Sequence, residues 1–127
     1  MQDTPEAPAF DAVLSILVAH FISRAERRDF YANIFQRLKP DGYFVSAEIS
    51  ADLEAPEFPA MLRNWEQVQA LMGATPESLQ ALGDTLRNTL NVLSPAETNA
   101  LWLESGFGPP VEFFQAFMIR GWYARKP

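Results

Sequence analysis

Phe10-Asp11-Ala12-Val13-Leu14-Ser15-Ile16-Leu17-Val18 is a nearly unbroken apolar run, and its reading decides the fold. Runs of this kind suit strands buried on both faces, as in parallel sheets covered by helices. Ser23 follows, with Glu26 three residues later, so S-x-x-E is a capping box that opens a helix. Phe30, Ile34, Phe35 and Leu38 then recur at helical spacing, and Pro40 with the pair Asp41-Gly42 stops the helix. Tyr43 to Ile49 reads as a second strand. A strand, a capped helix and a strand within about 40 residues make a βαβ crossover, which is almost always right-handed.

Outward from this unit, Pro5 and Pro8 punctuate a loop over residues 1–8. On the other side, residues 51–93 change character and read as an all-helical insertion. One stripe there is Leu62, Trp65, Val68, Leu71 and Met72. Thr75-Pro76 starts another helix, with Leu79, Leu82, Leu86 and Leu90 on its apolar side. Ser94-Pro95-Ala96-Glu97 combines a capping box with Pro at the first helical position, and this helix ends at Gly106 or Gly108. Val111 to Ile119 and Trp122 to Lys126 are apolar segments separated by Arg120-Gly121, an antiparallel hairpin. The domain map is a single α/β unit over 1–127: loop 1–8, strand-helix-strand 9–50, insertion 51–93, helix and hairpin 94–127.

Composition bounds the function. With 48% hydrophobic and 20% charged residues the chain can fill a core. It has no cysteine, so it forms no disulfide, iron–sulfur cluster or thiolate zinc site. A net charge of −6 argues against phosphate backbones and anionic membranes as partners. No apolar run approaches the roughly 18–20 residues that span a bilayer, and the acidic start is unlike a signal peptide; a cytoplasmic protein is expected. No H-x-x-x-H spacing, Ser-His-Asp order or carboxylate pair points to a metal site or a hydrolase.

Four segments, in order, resemble class I S-adenosylmethionine-dependent methyltransferases. Phe10 to Ser15 resembles their fourth strand, and Leu17-Val18-Ala19-His20-Phe21 the segment after it. Leu38-Lys39-Pro40-Asp41-Gly42-Tyr43 is similar to their crossover, with Asp41 where glycine is more usual. Leu101 to Phe107, followed by Val111 to Lys126, resembles their close. The resemblance implies the C-terminal half of a Rossmann-like sheet of order 3-2-1-4-5-7-6: strands four to seven, the last antiparallel, with a helical insertion. It also implies that the glycine-rich turn and the ribose-binding acid lie in strands one to three, outside this chain. Its six glycines are scattered and none forms G-x-G-x-G.

By the same resemblance the cofactor is S-adenosylmethionine, and Asp3, Ile16, Leu17 and His20 are candidate cofactor-binding residues. His20 and Glu48 are candidate catalytic residues at the carboxyl end of the sheet, where open α/β sheets bind ligands. Without such a role, His20 is a loop histidine bonded to backbone and Glu48 a rim carboxylate. Met61 and Trp65, on the insertion that roofs the substrate site in the family, are candidate substrate-binding residues or insertion core. Phe113, Phe114, Phe117 and Trp122 read as hairpin core. The expected activity is methyl transfer in a complete enzyme, with this chain inactive alone. The sequence leaves the acceptor open among a small metabolite, a nucleic-acid base and a protein, and a small molecule is the expected partner. The alternative is a non-catalytic binding or dimerisation module derived from the same fold. An unpaired Phe10–Val18 edge invites a homodimer.

Overall fold

The structure is a computed structural model that describes residues 8–127. Strand β1 (Phe10–Ile16) runs parallel to β2 (Leu38–Ile49), joined across helix α1 (Arg24–Arg37). Then come α2 (Phe58–Leu71), α3 (Pro76–Asp84) with a π-helical extension over Thr85–Thr89, and α4 (Pro95–Glu104). The hairpin β3 (Val111–Ala116) and β4 (Ile119–Arg125) closes the order. The four-stranded sheet has the order β1-β2-β4-β3, with β4 antiparallel to both neighbours. The mixed sheet and its order agree with the expected strands four to seven.

Caps set the helix starts. The hydroxyl of Ser23 accepts from the Glu26 N–H, although the return bond that would complete a capping box is not among those formed. At Ser94 both halves of the box are present. The Leu38–Gly42 stretch differs from the expected helix stop followed by a turn. It already belongs to β2, where four residues, Lys39 to Gly42, bulge opposite Asp11 between the Phe10–Leu38 and Ala12–Tyr43 pairs. Pro40 lacks an N–H to give the ladder, Asp41 takes φ 68°, and a Cβ at Gly42 would stand 2.9 Å from the Lys39 carbonyl oxygen. The bulge is braced by the chain's end: the Asp41 N–H donates to the Lys126 carbonyl and the Lys126 N–H to that of Gly42, each at 2.8 Å. The Lys126 ammonium donates to the Phe35 and Leu38 carbonyls, capping α1, and lies 4.6 Å from the Phe35 ring centroid.

The two faces of the sheet differ. Phe44, Ser46 and Glu48 of β2, and Ser50 just after it, are buried on the side of α1 and α4, where Tyr31, Ile34, Leu38, Trp102, Phe107 and Trp122 complete the main core. The opposite face is apolar and open. Leu14 pairs with Val45 and Ile16 with Ala47, and both are more than half exposed. A bulge between Glu112 and Phe114 puts Phe113 and Phe114 beside Gly121, and they are 57% and 48% exposed, so they are not the expected hairpin core. The hairpin turn falls at Phe117-Met118, with φ 55° at Phe117, while Arg120-Gly121 lies inside β4.

The insertion is helical as expected and returns to the sheet where Leu93 bridges Ser50. A second core gathers Ala51, Phe58, Leu86 and Met118 with Met61, Leu62 and Trp65. Leu71 and Met72, read as part of the apolar stripe, are 88% and 82% exposed, because α2 ends at Leu71 and Gly73 turns the chain away with φ 94°.

Urea unfolding should separate the two faces. Phe44→Ala is expected to cost about 3–5 kcal/mol by leaving a cavity, whereas Phe114→Ser should change stability by less than about 0.5 kcal/mol.

Candidate functional site

At the carboxyl end of β1 the chain leaves the sheet through a strained residue. Leu17 has φ 57°, which costs a non-glycine residue about 1 kcal/mol, and its N–H is held by the Ala47 carbonyl at 2.6 Å. The strain turns Ile16, Leu17, Val18 and Phe21 outward as one exposed apolar patch, 43–66% accessible, while Ala19 and His20 tuck beneath in a 3-10 turn.

The His20 Nδ1 accepts the Ile49 N–H at 3.1 Å, and the His20 carbonyl accepts the Asn91 N–H at 2.8 Å. A ring that accepts at Nδ1 carries its proton at Nε2 when neutral, so His20 is a hydrogen-bond donor in this arrangement. Burial lowers its pKa from the ordinary value of 6.5, and the nearby Arg27 charge adds to the effect. Its ring lies 4.6 Å from that of Phe21.

Glu48 corrects the expectation of a rim carboxylate. It is wholly buried on the helix-covered face, because its position alternates with Ile49 and shares the side of Phe44 and Ser46. The Tyr31 hydroxyl lies 3.1 and 3.0 Å from its two oxygens, the Ser46 hydroxyl donates at 3.0 Å, and Arg27 approaches to 3.7 Å. Burial raises its pKa and outweighs the opposing Arg27 charge. Burial, then the Glu48 charge, likewise pushes the Tyr31 hydroxyl upward.

The remaining candidates lie apart. Met61 lines a small depression of about 140 Å³ with Phe58 and Arg120. Trp65 stacks on Phe117 with 5° between the rings and borders a separate hollow with Met72. Both contribute to the insertion core, and neither is brought to the His20 turn. A cleft of about 630 Å³ lies between α1 and α4 beside the Arg24–Glu97 and Arg28–Glu104 ion pairs and contains none of the candidates. Asp3 lies outside the described residues. Arg27, Tyr31 and Asn91 were missed. The i, i+4 spacing of Arg27 and Tyr31 with Ile34 beyond was visible, but arginine and tyrosine are not the residues an apolar stripe is drawn through.

Residues 1–46 match the methyltransferase domain family. No curated protein matches the chain. Among solved structures, a possible exported protein from Bordetella parapertussis is 24% identical with TM-score 0.61, over 98% of this chain and 41% of that one. Human N-acetylserotonin methyltransferase, solved with S-adenosylmethionine, is 16% identical with TM-score 0.63, over 97% of this chain and 31% of its own. The Burkholderia thailandensis 1,6-didemethyltoxoflavin-N1-methyltransferase, bound to 1,6-didemethyltoxoflavin and S-adenosylhomocysteine, is 17% identical with TM-score 0.61, over 98% and 47%. The chain therefore has the fold of part of a class I methyltransferase and spans less than half the length of each of these structures. Among the described residues no helix is long and apolar enough to cross a membrane.

The chain's single histidine makes its titration readable by proton NMR. The His20 ring should titrate below pH 6.5 in the folded protein. Because its folded pKa lies below its unfolded one, the neutral-His20 contribution to stability is intact above about pH 6.5. It should be lost as the pH falls through the folded value, a trend that urea midpoints across that range will check.

Proposed function

We propose that this chain is the C-terminal half of an S-adenosylmethionine-dependent methyltransferase that acts on a small molecule, and that it is inactive alone. The observation that carries the proposal is the carboxyl end of the parallel β1–β2 pair, where an apolar patch and the single histidine adjoin in a sheet of methyltransferase order. In open α/β sheets this end is where ligands bind.

Ile16 and Leu17, exposed and apolar at the end of β1, fit one wall of a pocket for the flat adenosine part of the cofactor. When bound, the cofactor supplies a methyl group on a positively charged sulfur. The chain's own contribution is to orient and to exclude water, since in-line displacement depends chiefly on holding donor and acceptor at near-attack distance. His20 fixes the exit from β1 and offers its Nε2 proton to a polar group of the acceptor; a base role would require the other tautomer. Glu48 serves from behind the sheet, and Met61 and Trp65 shape the roof through the insertion core. We place the protein in the cytoplasm as part of the same reading.

The open face of the sheet and the outer edge of β1 take up the completing strands and helices of such an enzyme. Parallel sheets are covered on both faces, and the matched structures are two to three times as long as this chain. In their absence the Phe10–Val18 edge is expected to pair with a second copy.

Isothermal titration of S-adenosylhomocysteine into the 127-residue protein tests the proposal, with sedimentation alongside. Little or no heat and a dimer are expected. Tight one-to-one binding would show that the chain completes a cofactor pocket by itself and would remove the half-enzyme reading.

A further inference from the structure

We propose that Arg27 is a positioning residue that locks the His20 turn and the returning end of the helical insertion onto the carboxyl end of β2. Arg27 has no exposed surface and lies one turn into α1. Its Nη2 donates to the Ile22 carbonyl at 3.1 Å, just beyond the His20 turn, and to the Asn91 carbonyl, just before the insertion rejoins the sheet. Its Nη1 faces Glu48 of β2 at 3.7 Å. Three segments far apart in sequence thus share one guanidinium. Nη2 carries two N–H groups, so one nitrogen serves both carbonyls while Nη1 turns toward the carboxylate.

The same three segments also bond to one another. The Asn91 N–H donates to the His20 carbonyl, the Ile49 N–H to the His20 Nδ1, and the Ser50 hydroxyl to the Leu93 carbonyl at 2.7 Å. Together these bonds need the His20 turn and residues 91–93 in their present places, and Arg27 bonds to the carbonyls of Ile22 and Asn91 beside them. A loosened Arg27 releases the roof and the histidine together. The turn, the strand end and the insertion therefore behave as one unit around the proposed site. Only the consequence for catalysis rests on the methyltransferase reading; the tether itself does not.

The test compares Arg27→Met and Arg27→Lys in the full chain by native-state amide exchange and by NMR of the His20 ring. Arg27→Met should speed exchange at Ile49 and Asn91 at least tenfold more than at Leu101 and Trp102 of α4, and should move the His20 midpoint upward. Arg27→Lys keeps the charge, so the His20 midpoint should stay low. The lysine ammonium ends one bond short of the Nη2 position that donates to both carbonyls, so Ile49 and Asn91 should still exchange faster than α4 by a similar factor. Equal acceleration of all four amides in either variant overturns the proposal, because Arg27 then acts on general stability alone. Should Arg27→Met fail to fold, the Arg27→Lys comparison decides by the same criterion. Neither readout involves a ligand, so a failure here is distinguishable from a failure of the methyltransferase reading.

Discussion

A charge with no exposed surface must be satisfied by the protein around it, and the buried guanidinium of Arg27 imposes that condition on this fold. Removing an ion of this kind from water costs several kcal/mol, offset in part here by two backbone carbonyls on Nη2 and a carboxylate 3.7 Å from Nη1, while Nε and Nη1 form no hydrogen bond among the described residues. The carbonyls come from a turn and from the end of an insertion, segments that form no strand ladder with β2 beyond a single bridge. The carboxylate is held in turn by Tyr31 and Ser46. Polar groups thus fix the geometry at the end of the sheet, whereas the aromatic packing of Phe44, Trp102 and Phe107 fixes the middle.

The division between the faces follows from register. Because side chains alternate along β2, Phe44, Ser46 and Glu48 all lie under the helices, while Tyr43, Val45 and Ala47 face away. The helices on the covered face, α1 and α4, are the crossover and the link to the hairpin, so both fall on one side. The other side keeps Leu14, Tyr43, Phe113 and Tyr123 in a row of apolar groups that water does not favour. The Phe113–Phe114 bulge deepens this asymmetry, since two consecutive aromatic residues reach the open side where simple alternation would allow one.

Much of this was legible in the sequence, because the strongest signals were local. The apolar run at Phe10, the caps at Ser23 and Ser94 and the strand order implied by resemblance all appear in the structure. What misled was local signal overridden from a distance. Asp41-Gly42 reads as a turn, but Lys126 holds it against the sheet. Leu71 and Met72 continue a stripe that has nothing left to pack against. Ile16, Leu17 and His20 were legible as the exit from β1, where the structure has them. Glu48 was placed on the wrong surface because its neighbours on the helix side, Arg27 and Tyr31, are polar and leave no apolar pattern to follow.

The cap that Lys126 places on α1 has a consequence for how the molecule is made. It joins residues 88 and 91 positions apart, and the β2–β4 ladder is nearly as long in sequence. Contacts of such separation close slowly, because a long loop must be ordered before they form. A ribosome releases the end of α1 long before it releases Lys126. The βαβ unit must therefore wait, with the β2 edge and the helix end uncovered, until Lys126 has been synthesised.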